Sequence, residues 1–278
     1  MIFVQSVGGL GNQLFQLAFA HHLLEKYPNE NVTIFWDKYH DSKRNYEFDN
    51  LLVDCSHTIS FRRNNLLGFF LKAIDKINRH NLKLYELISS ALSIKSDDAA
   101  AFDFSQKGKI YRGFFQVPKN MKEAIYQTAF ELNKFLEKSN FATPVNSKYT
   151  SIHIRRSDFQ DNKETIGVLH SDYYKNIVLK IQNVIIATDT LPVPNETESL
   201  FKNAFTLTPS EYGTLHTIYL ISRGSEVFIA NSTFSWWAGI IAEMRKNPVY
   251  APTPWTKKAR KNANLNWEKF IYLDAIYE

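Results

Sequence analysis

The 278-residue chain has one cysteine, Cys55, and only 10 glycines. A single cysteine excludes an internal disulfide and any metal site built on several cysteines. Long apolar runs are also missing, since no window approaches the roughly 18 consecutive apolar residues of a membrane-spanning helix. No basic residue precedes the apolar amino terminus, so we expect no secretory signal and a cytoplasmic location. The sequence indicates no role for Cys55.

Common catalytic motifs are absent as well. No Asp-x-Asp triplet occurs, so the carboxylate pair that often holds a divalent metal on a nucleotide diphosphate is missing. There is no Walker loop, no Gly-x-Ser-x-Gly elbow and no His/Cys cluster at metal-ligand spacing. Positive charge for a diphosphate would come from arginine side chains and a helix amino terminus.

The composition that remains is that of a soluble globular protein, with 44% hydrophobic and 22% charged residues. The length fits one large domain or two smaller ones. The 33 Lys and Arg residues outnumber the 28 Asp and Glu residues, which gives a formal net charge of +5. This excess favours anionic partners. The charge alone does not distinguish between nucleic acid, an anionic membrane and a nucleotide diphosphate.

Apolar strand-like segments alternate with amphipathic segments through both halves of the chain. This alternation predicts an α/β fold of two Rossmann-like, doubly wound domains that face each other across a cleft. The polar segment 141–148 contains Pro144 and is the best linker, so we place the domains at 1–145 and 146–278. A strand is predicted over 111–116, and the last strand over 249–251.

The first candidate motif is Gly8-Gly9-Leu10-Gly11-Asn12, between a strand predicted over 2–6 and a helix that continues to residue 24. Glycine lets the backbone turn sharply, and the start of a helix offers backbone N–H groups to a ligand. A tight turn and a ligand-binding loop both fit this pattern. The dinucleotide fingerprint does not fit, because its third glycine is missing.

The second motif is His153-Ile154-Arg155-Arg156-Ser157-Asp158, at the end of a strand predicted over 149–155. A guanidinium binds phosphate oxygens through two parallel hydrogen bonds. Ligands of α/β proteins bind at the carboxyl ends of strands, which favours a phosphate site. The alternative is an internal ion-pair network between Asp158 and one of the arginines.

The third motif joins a buried strand predicted over 226–230 to a helix predicted over 233–245. Ser232 or Thr233 is a good helix N-cap. The same hydroxyl-rich helix start also fits a phosphate.

The segment 62–83 reads as one or two basic amphipathic helices. This segment contains several basic residues, among them Lys72, Lys76 and Arg79, and a single acidic residue, Asp75. We expect this segment to contact anionic bilayers weakly from the inner face of the membrane.

Together, the motifs at 8–16, 153–158 and 230–237 resemble the α-1,2-fucosyltransferases, glycosyltransferase family 11, in its bacterial form. These enzymes belong to a larger group with the α-1,6- and protein O-fucosyltransferases. Weaker matches lie at 44–49, 111–116, 172–174 and 251–255. The resemblance therefore spans nearly the whole chain.

The resemblance implies a GT-B glycosyltransferase with an acceptor-side domain at 1–145 and a donor domain at 146–278. It implies transfer of L-fucose from GDP-fucose to the 2-hydroxyl of a terminal galactoside, with inversion and without a metal. Expected partners are the nucleotide sugar and a glycan acceptor, which a lipid could carry, and no nucleic acid. The enzyme would act in the synthesis of surface polysaccharide or another glycan.

The resemblance also assigns the site. Arg155 would stabilise the departing diphosphate, and Asp158 would be the general base, with Asp161 and Glu164 as reserves. The donor-binding residues would be His153, Arg156, Asp189, Asn231, Ser232, Thr233, Phe234 and Ser235. The loop lining the cleft would contribute Gly9, Gly11, Asn12 and Gln13.

Three positions depart from the family pattern. Thr190 and Thr217 stand where the family usually has acids, and Ser157 replaces a glycine. These departures leave open a different nucleotide-sugar donor. A non-catalytic glycan- or polyanion-binding protein is a further alternative, motivated by the basic charge and by 14% aromatic residues.

Overall fold

The computed structural model describes residues 1–40, 46, 58–96, 107–145, 147–178, 183–189, 204–258 and 265–278. Most of the weak match at 44–49, together with Cys55 and Thr190, lies outside these residues. Contacts divide the chain into two compact units, Met1–Thr128 and Ala129–Glu278. Phe141, in the predicted linker 141–148, belongs to the second unit, where its ring stacks on His216 with centroids 4.7 Å apart. The domain boundary after residue 145 stays a prediction.

The described residues of the first unit form a parallel sheet of five strands. They are β1 (Ile2–Gln5), β2 (Val32–Trp36), β3 (Ile59–Arg63), β4 (Ile94–Ser96) and β5 (Ile110–Arg112), in the order β3-β2-β1-β5-β4. The helices are α1 (Leu10–Lys26), α2 (Asn65–His80), α3 (Leu82–Ala91) and α4 (Lys122–Lys138), which crosses the division between the units.

Two sequence predictions for this unit need correction. Arg62 and Arg63 belong to β3 rather than to a helix, and the amphipathic helices begin at Asn65. The strand predicted over 111–116 ends at Arg112. The backbone leaves the extended conformation there, because Gly113 has φ 144° and Phe115 has φ 52°.

The second unit contains a parallel sheet of six strands in its described residues. They are β6 (Thr150–Ile154), β7 (Val184–Thr188), β8 (Phe205–Leu207), β9 (Glu226–Phe228), β10 (Val249–Thr253) and β11 (Ile271–Asp274), in the order β11-β10-β9-β6-β7-β8. The helices are α5 (Ser157–Gln160), α6 (Ser171–Val178), α7 (Pro209–Tyr212), α8 (Thr214–Ser222) and α9 (Thr233–Met244).

Burial explains which strands the sequence revealed. Every residue of β6 and of β7 is buried, as expected for central strands covered on both faces. The prediction that 249–251 is the last strand is wrong, because β11 follows it. β11 is partly exposed along its length and therefore lacks a buried apolar run.

Both sheets are doubly wound, which confirms the predicted α/β class with two Rossmann-like units. Chain order reverses at β1, which lies between β2 and β5, and at β6, which lies between β7 and β9. Ligands of such sheets bind beside the carboxyl ends of the strands at the reversal point. All three candidate motifs follow strands at these two points. Within the described ranges, no helix is long and apolar enough to cross a membrane.

Candidate active site

Arg155 follows β6 and forms ion pairs with two carboxylates. Its Nη2 lies 2.7 Å from Oδ1 of Asp158, and its Nε lies 3.1 Å from Oδ2 of Asp189. The guanidinium also lies over the ring of Phe159, 5.6 Å from the ring centroid. The ion-pair network proposed as an alternative is therefore present, and it holds the arginine at the end of the strand.

Asp189, directly after β7, fixes the turn that carries Arg155. Its carboxylate accepts hydrogen bonds from the backbone N–H of Arg156 (2.9 Å), the backbone N–H of Ser157 (3.2 Å) and the Ser157 hydroxyl (2.5 Å). Burial alone would raise the pKa of Asp189, but the Arg155 charge and these hydrogen bonds outweigh it, and the pKa is lowered. Ser157 thus has Asp189 as a hydrogen-bond partner through both its backbone and its side chain.

Arg156 pairs with a different acid. Its Nη1 lies 2.6 Å from Oε1 of Glu278, the last residue of the chain. The side chains of the two adjacent arginines therefore pair with different carboxylates, and Asp189 also accepts a hydrogen bond from the Arg156 backbone N–H.

His153 lies inside β6 and is 2% exposed. No described residue hydrogen-bonds its Nδ1 atom, and the Phe234 ring lies 5.6 Å from the imidazole. Burial, and next the positive charge of Arg155, place the pKa of His153 well below its ordinary value, although Asp189 opposes the shift. His153 is therefore neutral at physiological pH, with a buried ring nitrogen available for a hydrogen bond.

The start of α9 lies beside β6 at the same edge of the sheet. Ser232 occupies the N-cap position, but its side chain makes no capping hydrogen bond to a described residue. Ser235 is buried and donates to the carbonyls of Ala230 and Ser232, each at 3.3 Å. The Asn231 amide donates to the Gly167 carbonyl at 3.1 Å, which ties the α9 turn to the loop after α5.

The other residues named from the sequence lie near this edge or away from it. Glu164 is exposed and lies 3.6 Å from Lys257, and Asp161 is exposed in the same loop. Thr217 is buried in α8, where its hydroxyl donates to the Gly213 carbonyl at 2.9 Å. The described structure thus brings His153, Arg155, Asp158, Asp189 and 231–235 to one end of the second sheet.

The glycine turn of the first unit is held by buried amides. Gly8 has φ +84°, a conformation in which other residues are strained, and a Cβ atom added there would also lie 2.5 Å from Nδ2 of Asn12. Gln16 is fully buried, and its amide bonds the backbone of Val7 and the Gly113 carbonyl. Gln13 donates to the Gly8 carbonyl at 2.9 Å.

Of the predicted cleft-loop residues, Gly9 is the N-cap of α1, whereas Gly11, Asn12 and Gln13 lie in its first turn. Oδ1 of Asn12 accepts a hydrogen bond from Gln116 at 3.0 Å, which links α1 to the segment after β5. These hydrogen bonds hold the turn in one conformation in the structure, and ligand binding by the turn stays a prediction.

Sequence reasoning missed a polar cluster in the first unit, here called the His40 cluster, formed by Gln5, Asp37, His40, Asp75 and Arg112. Arg112 binds Asp75 through two parallel contacts of 2.7 and 2.9 Å, and its Nε donates to Gln5 at 2.9 Å. His40 lies 2.9 Å from Oδ1 of Asp37 and 3.2 Å from Oδ2 of Asp75. Gln5 and Arg112 end adjacent strands, which is the signal that sequence reasoning overlooked.

Charge in the His40 cluster is balanced between two acids and two bases. Burial would lower the pKa of His40, but hydrogen bonds to Asp37 and Asp75 raise it above its usual value. Burial would raise the pKa values of Asp37 and Asp75, yet both are lowered, Asp37 by hydrogen bonds from His40, Tyr39 and Gln5 and Asp75 by Arg112 and His40. Among the described residues, no group of three His, Cys, Asp or Glu side chains could hold a metal ion.

Comparison with solved structures shows the GT-B fold. The Escherichia coli heptosyltransferase WaaC with ADP matches with a TM-score of 0.51 at 6% identity, over 98% of this chain and 92% of that chain. Such a likeness defines the fold alone.

Sequence comparison finds two bacterial glycosyltransferases. The chain is 25% identical to the O-antigen biosynthesis glycosyltransferase WbnK of Escherichia coli, over 96% of this chain and 98% of that protein. It is 23% identical to an alpha-1,2-colitosyltransferase of Escherichia coli, over 95% of each chain. No family model matches. This similarity along the full length of both relatives indicates a glycosyltransferase.

Proposed function

We propose that the protein transfers L-fucose from GDP-fucose to the 2-hydroxyl of a terminal galactoside, with inversion, in the synthesis of surface polysaccharide. The observation that carries the proposal is Arg155, held by Asp158 and Asp189 at the chain-reversal point of the second sheet. The three ordered motifs support the donor, and the O-antigen and colitosyl transferases among the relatives support the class of reaction.

In the proposed reaction, the acceptor oxygen attacks the anomeric carbon of fucose as the bond from that carbon to the diphosphate breaks. Arg155, with Arg156 supporting its turn, stabilises the charge on the departing GDP. A diphosphate that binds Arg155 competes with its ion pair to Asp158. The Asp158 carboxylate, 41% exposed, then accepts the proton of the acceptor hydroxyl.

Other residues at this edge would bind the donor. The start of α9, with Ser232 and Thr233, offers backbone N–H groups to phosphate. His153 and Phe234 would contact the nucleotide sugar, and His153 would contribute one hydrogen bond from its buried ring. Asn231 and Ser235 would hold the turn through the backbone bonds described above. No step requires a metal, and GDP-fucose is the substrate.

A second candidate is the same reaction with another nucleotide sugar. The colitosyltransferase among the relatives favours it, because that protein moves a different sugar. For either donor, we propose a glycan acceptor that a lipid could carry, and a cytoplasmic location at the inner face of the membrane.

The test is a donor screen with linkage analysis of the product. GDP-fucose with β-galactosides should give an α-1,2-linked product, and Arg155→Ala should lose about 100-fold or more of the turnover while remaining folded. Arg245→Ala is the matched control, since Arg245 pairs with Glu137 on the surface of the same unit.

Turnover with a different donor only would replace the fucosyl proposal with the second candidate. No turnover with any donor, together with salt-sensitive polyanion binding that GDP does not affect, would contradict transfer and favour a binding protein.

A further inference from the structure

We propose that the outer face of α2 and α3 is a docking surface for an anionic lipid bilayer. This surface, here called the α2–α3 surface, is formed by the exposed apolar side chains Leu66, Phe69, Phe70, Leu82, Leu84 and Leu87. Leu66 is 81% exposed, Leu87 67% and Phe69 59%. Exposed apolar residues grouped in this way mark an interaction site more often than single ones do. The inference goes beyond the transfer reaction and does not depend on it.

Helix α2 carries two separate apolar faces. Leu71 and Ile74 are buried and pack in a core cluster with Phe35 and Ile94. Leu66, Phe69, Phe70, Ala73 and Ile77 recur at the spacing of one helical stripe, and most of them are exposed. Folding of the unit uses the first face. The second stripe is apolar without being needed for that core.

Helix α3 also carries exposed apolar side chains. Every residue of Leu82–Ala91 is described, and none of them is buried. Three leucines in this helix, Leu82, Leu84 and Leu87, are exposed. When such apolar side chains leave water and enter the bilayer interface, the hydrophobic effect stabilises the membrane-bound protein.

The charges beside the apolar stripe indicate what kind of partner binds the α2–α3 surface. Lys72, Lys76, Arg79 and Lys83 are all exposed. Over 65–91, a stretch described throughout, Glu86 is the one exposed acid, because Asp75 is half-buried and binds Arg112. Basic side chains around an apolar face match anionic headgroups.

A second copy of this chain fits the surface less well. A symmetric dimer would bring the same basic residues from both copies together, and like charges at an interface oppose association.

The structure also refines the sequence prediction. Arg62 and Arg63 lie in β3, apart from the stripe on α2, and the surface continues past residue 83 to Leu87.

The test is co-sedimentation of the full chain with vesicles. We expect binding to vesicles of phosphatidylcholine with phosphatidylglycerol, and weak binding to phosphatidylcholine alone. Phe69→Ser with Leu87→Ser should abolish binding. Lys72→Gln, Lys76→Gln and Arg79→Gln together should weaken it by about fivefold for each charge removed, and added salt should have the same effect.

Matched controls come from other parts of the surface. Phe130→Ser removes an aromatic residue on α4 that is 55% exposed. Lys119→Gln, Lys134→Gln and Lys246→Gln together remove three exposed charges elsewhere. Both controls should bind as the unmodified chain does. Circular dichroism verifies folding, and transfer to a soluble galactoside should be unchanged in every variant, so failure of this proposal is separable from failure of the transfer proposal.

Three results would overturn the proposal. One is absence of binding to phosphatidylglycerol vesicles by the unmodified chain. Another is an equal loss in the control variants. The third is a dimer of the unmodified chain in light scattering that becomes a monomer in the Phe69→Ser, Leu87→Ser double variant, while neither protein binds vesicles. That result would assign the α2–α3 surface to a second copy of the chain.

Discussion

Asp189 stabilises the end of β6 because one carboxylate binds the Arg155 side chain, the Arg156 backbone and Ser157. Asp189→Asn should lower the free energy of unfolding by about 2 kcal/mol, since partly buried donors lose a charged acceptor. Transfer activity should fall as well, because Arg155 loses its support. Urea unfolding of the variant and of the unmodified chain measures the difference.

The sign of the pH dependence follows from the lowered pKa of Asp189. The stabilisation is present above the ordinary aspartate pKa of about 3.9 and is lost as the pH falls toward the folded value. The gap between the two proteins should therefore shrink in acid. Asp158→Asn is the comparison. Loss of the exposed ion pair between Asp158 and Arg155 should lower the free energy of unfolding by under about 1 kcal/mol, whereas the turnover of this variant should be lost. Equal destabilisation by both substitutions would contradict the structural role of Asp189.

His40 should give the opposite pH dependence. Its pKa is raised in the folded state by Asp37 and Asp75, against burial and the Arg112 charge. The stabilisation is complete below the unfolded pKa of about 6.5 and disappears as the pH rises through the folded value. The difference in unfolding free energy between the unmodified chain and His40→Gln should therefore decrease from mildly acidic to alkaline pH.

His22 provides a control for this measurement. Burial, and next Lys26, lower its pKa, so its contribution should favour the folded state more as the pH rises. His22→Gln should thus show a pH trend of opposite sign. The same trend in both variants would contradict the assignment to the His40 cluster.

Sequence reasoning reached Arg155, Asp158 and Asp189 because each follows a recognisable buried strand. It named the possible pair of Asp158 with an arginine, which the structure contains. It missed His40 and Asp37, because the loop after β2 carries no spacing that marks a site. Their proximity to Asp75 arises only when α2 packs over the end of β2.

At the scale of elements, Gly68 is the residue that lets α2 pack against β2. A Cβ atom added to Gly68 would lie 2.2 Å from Cγ of Asp37, which is buried at the end of that strand. Helix propensity alone predicts that Gly68→Ala stabilises the chain by about 1 kcal/mol. The clash predicts instead a loss of about 1–3 kcal/mol, because α2 must shift. The sign of the change in urea unfolding therefore tests the packing.

Ala73→Gly, on the outer stripe of the same helix, is the matched substitution. It should cost about 1 kcal/mol through propensity and leave the His40 cluster intact. A stabilising Gly68→Ala would show that α2 does not pack as closely as described.

Elements were predictable where burial was complete on both faces. β7 and α9 consist largely of buried apolar residues, so their positions follow from the sequence. β3 and β11 lie at sheet edges and are partly exposed, and their mixed patterns resemble loops or helix starts. The α2 pattern indicated a helix but not which of its two apolar faces is covered, since only packing decides that.

For the whole molecule, tryptophan placement allows the second unit to be observed separately. Of the five tryptophans, Trp36 lies in the first unit, and Trp236, Trp237, Trp255 and Trp267 lie in the second. Trp236 and Trp237 are fully buried, so their fluorescence changes when the second unit unfolds. In a Trp36→Phe variant, tryptophan fluorescence reports on the second unit alone.

This variant tests where the nucleotide binds. A ligand that binds only the folded state stabilises it by mass action, by about 2.7 kcal/mol at a concentration of 100 Kd. GDP should therefore raise the Tm measured by fluorescence in Trp36→Phe, and the shift should disappear when Arg155→Ala is added. If the site recognises guanine, ADP should raise the Tm by less than GDP does. Equal shifts with ADP and GDP would contradict selectivity for guanine. No shift with any nucleoside diphosphate would contradict a donor site built on the second unit, because binding there must stabilise the unit that contains Arg155, Asp189 and α9.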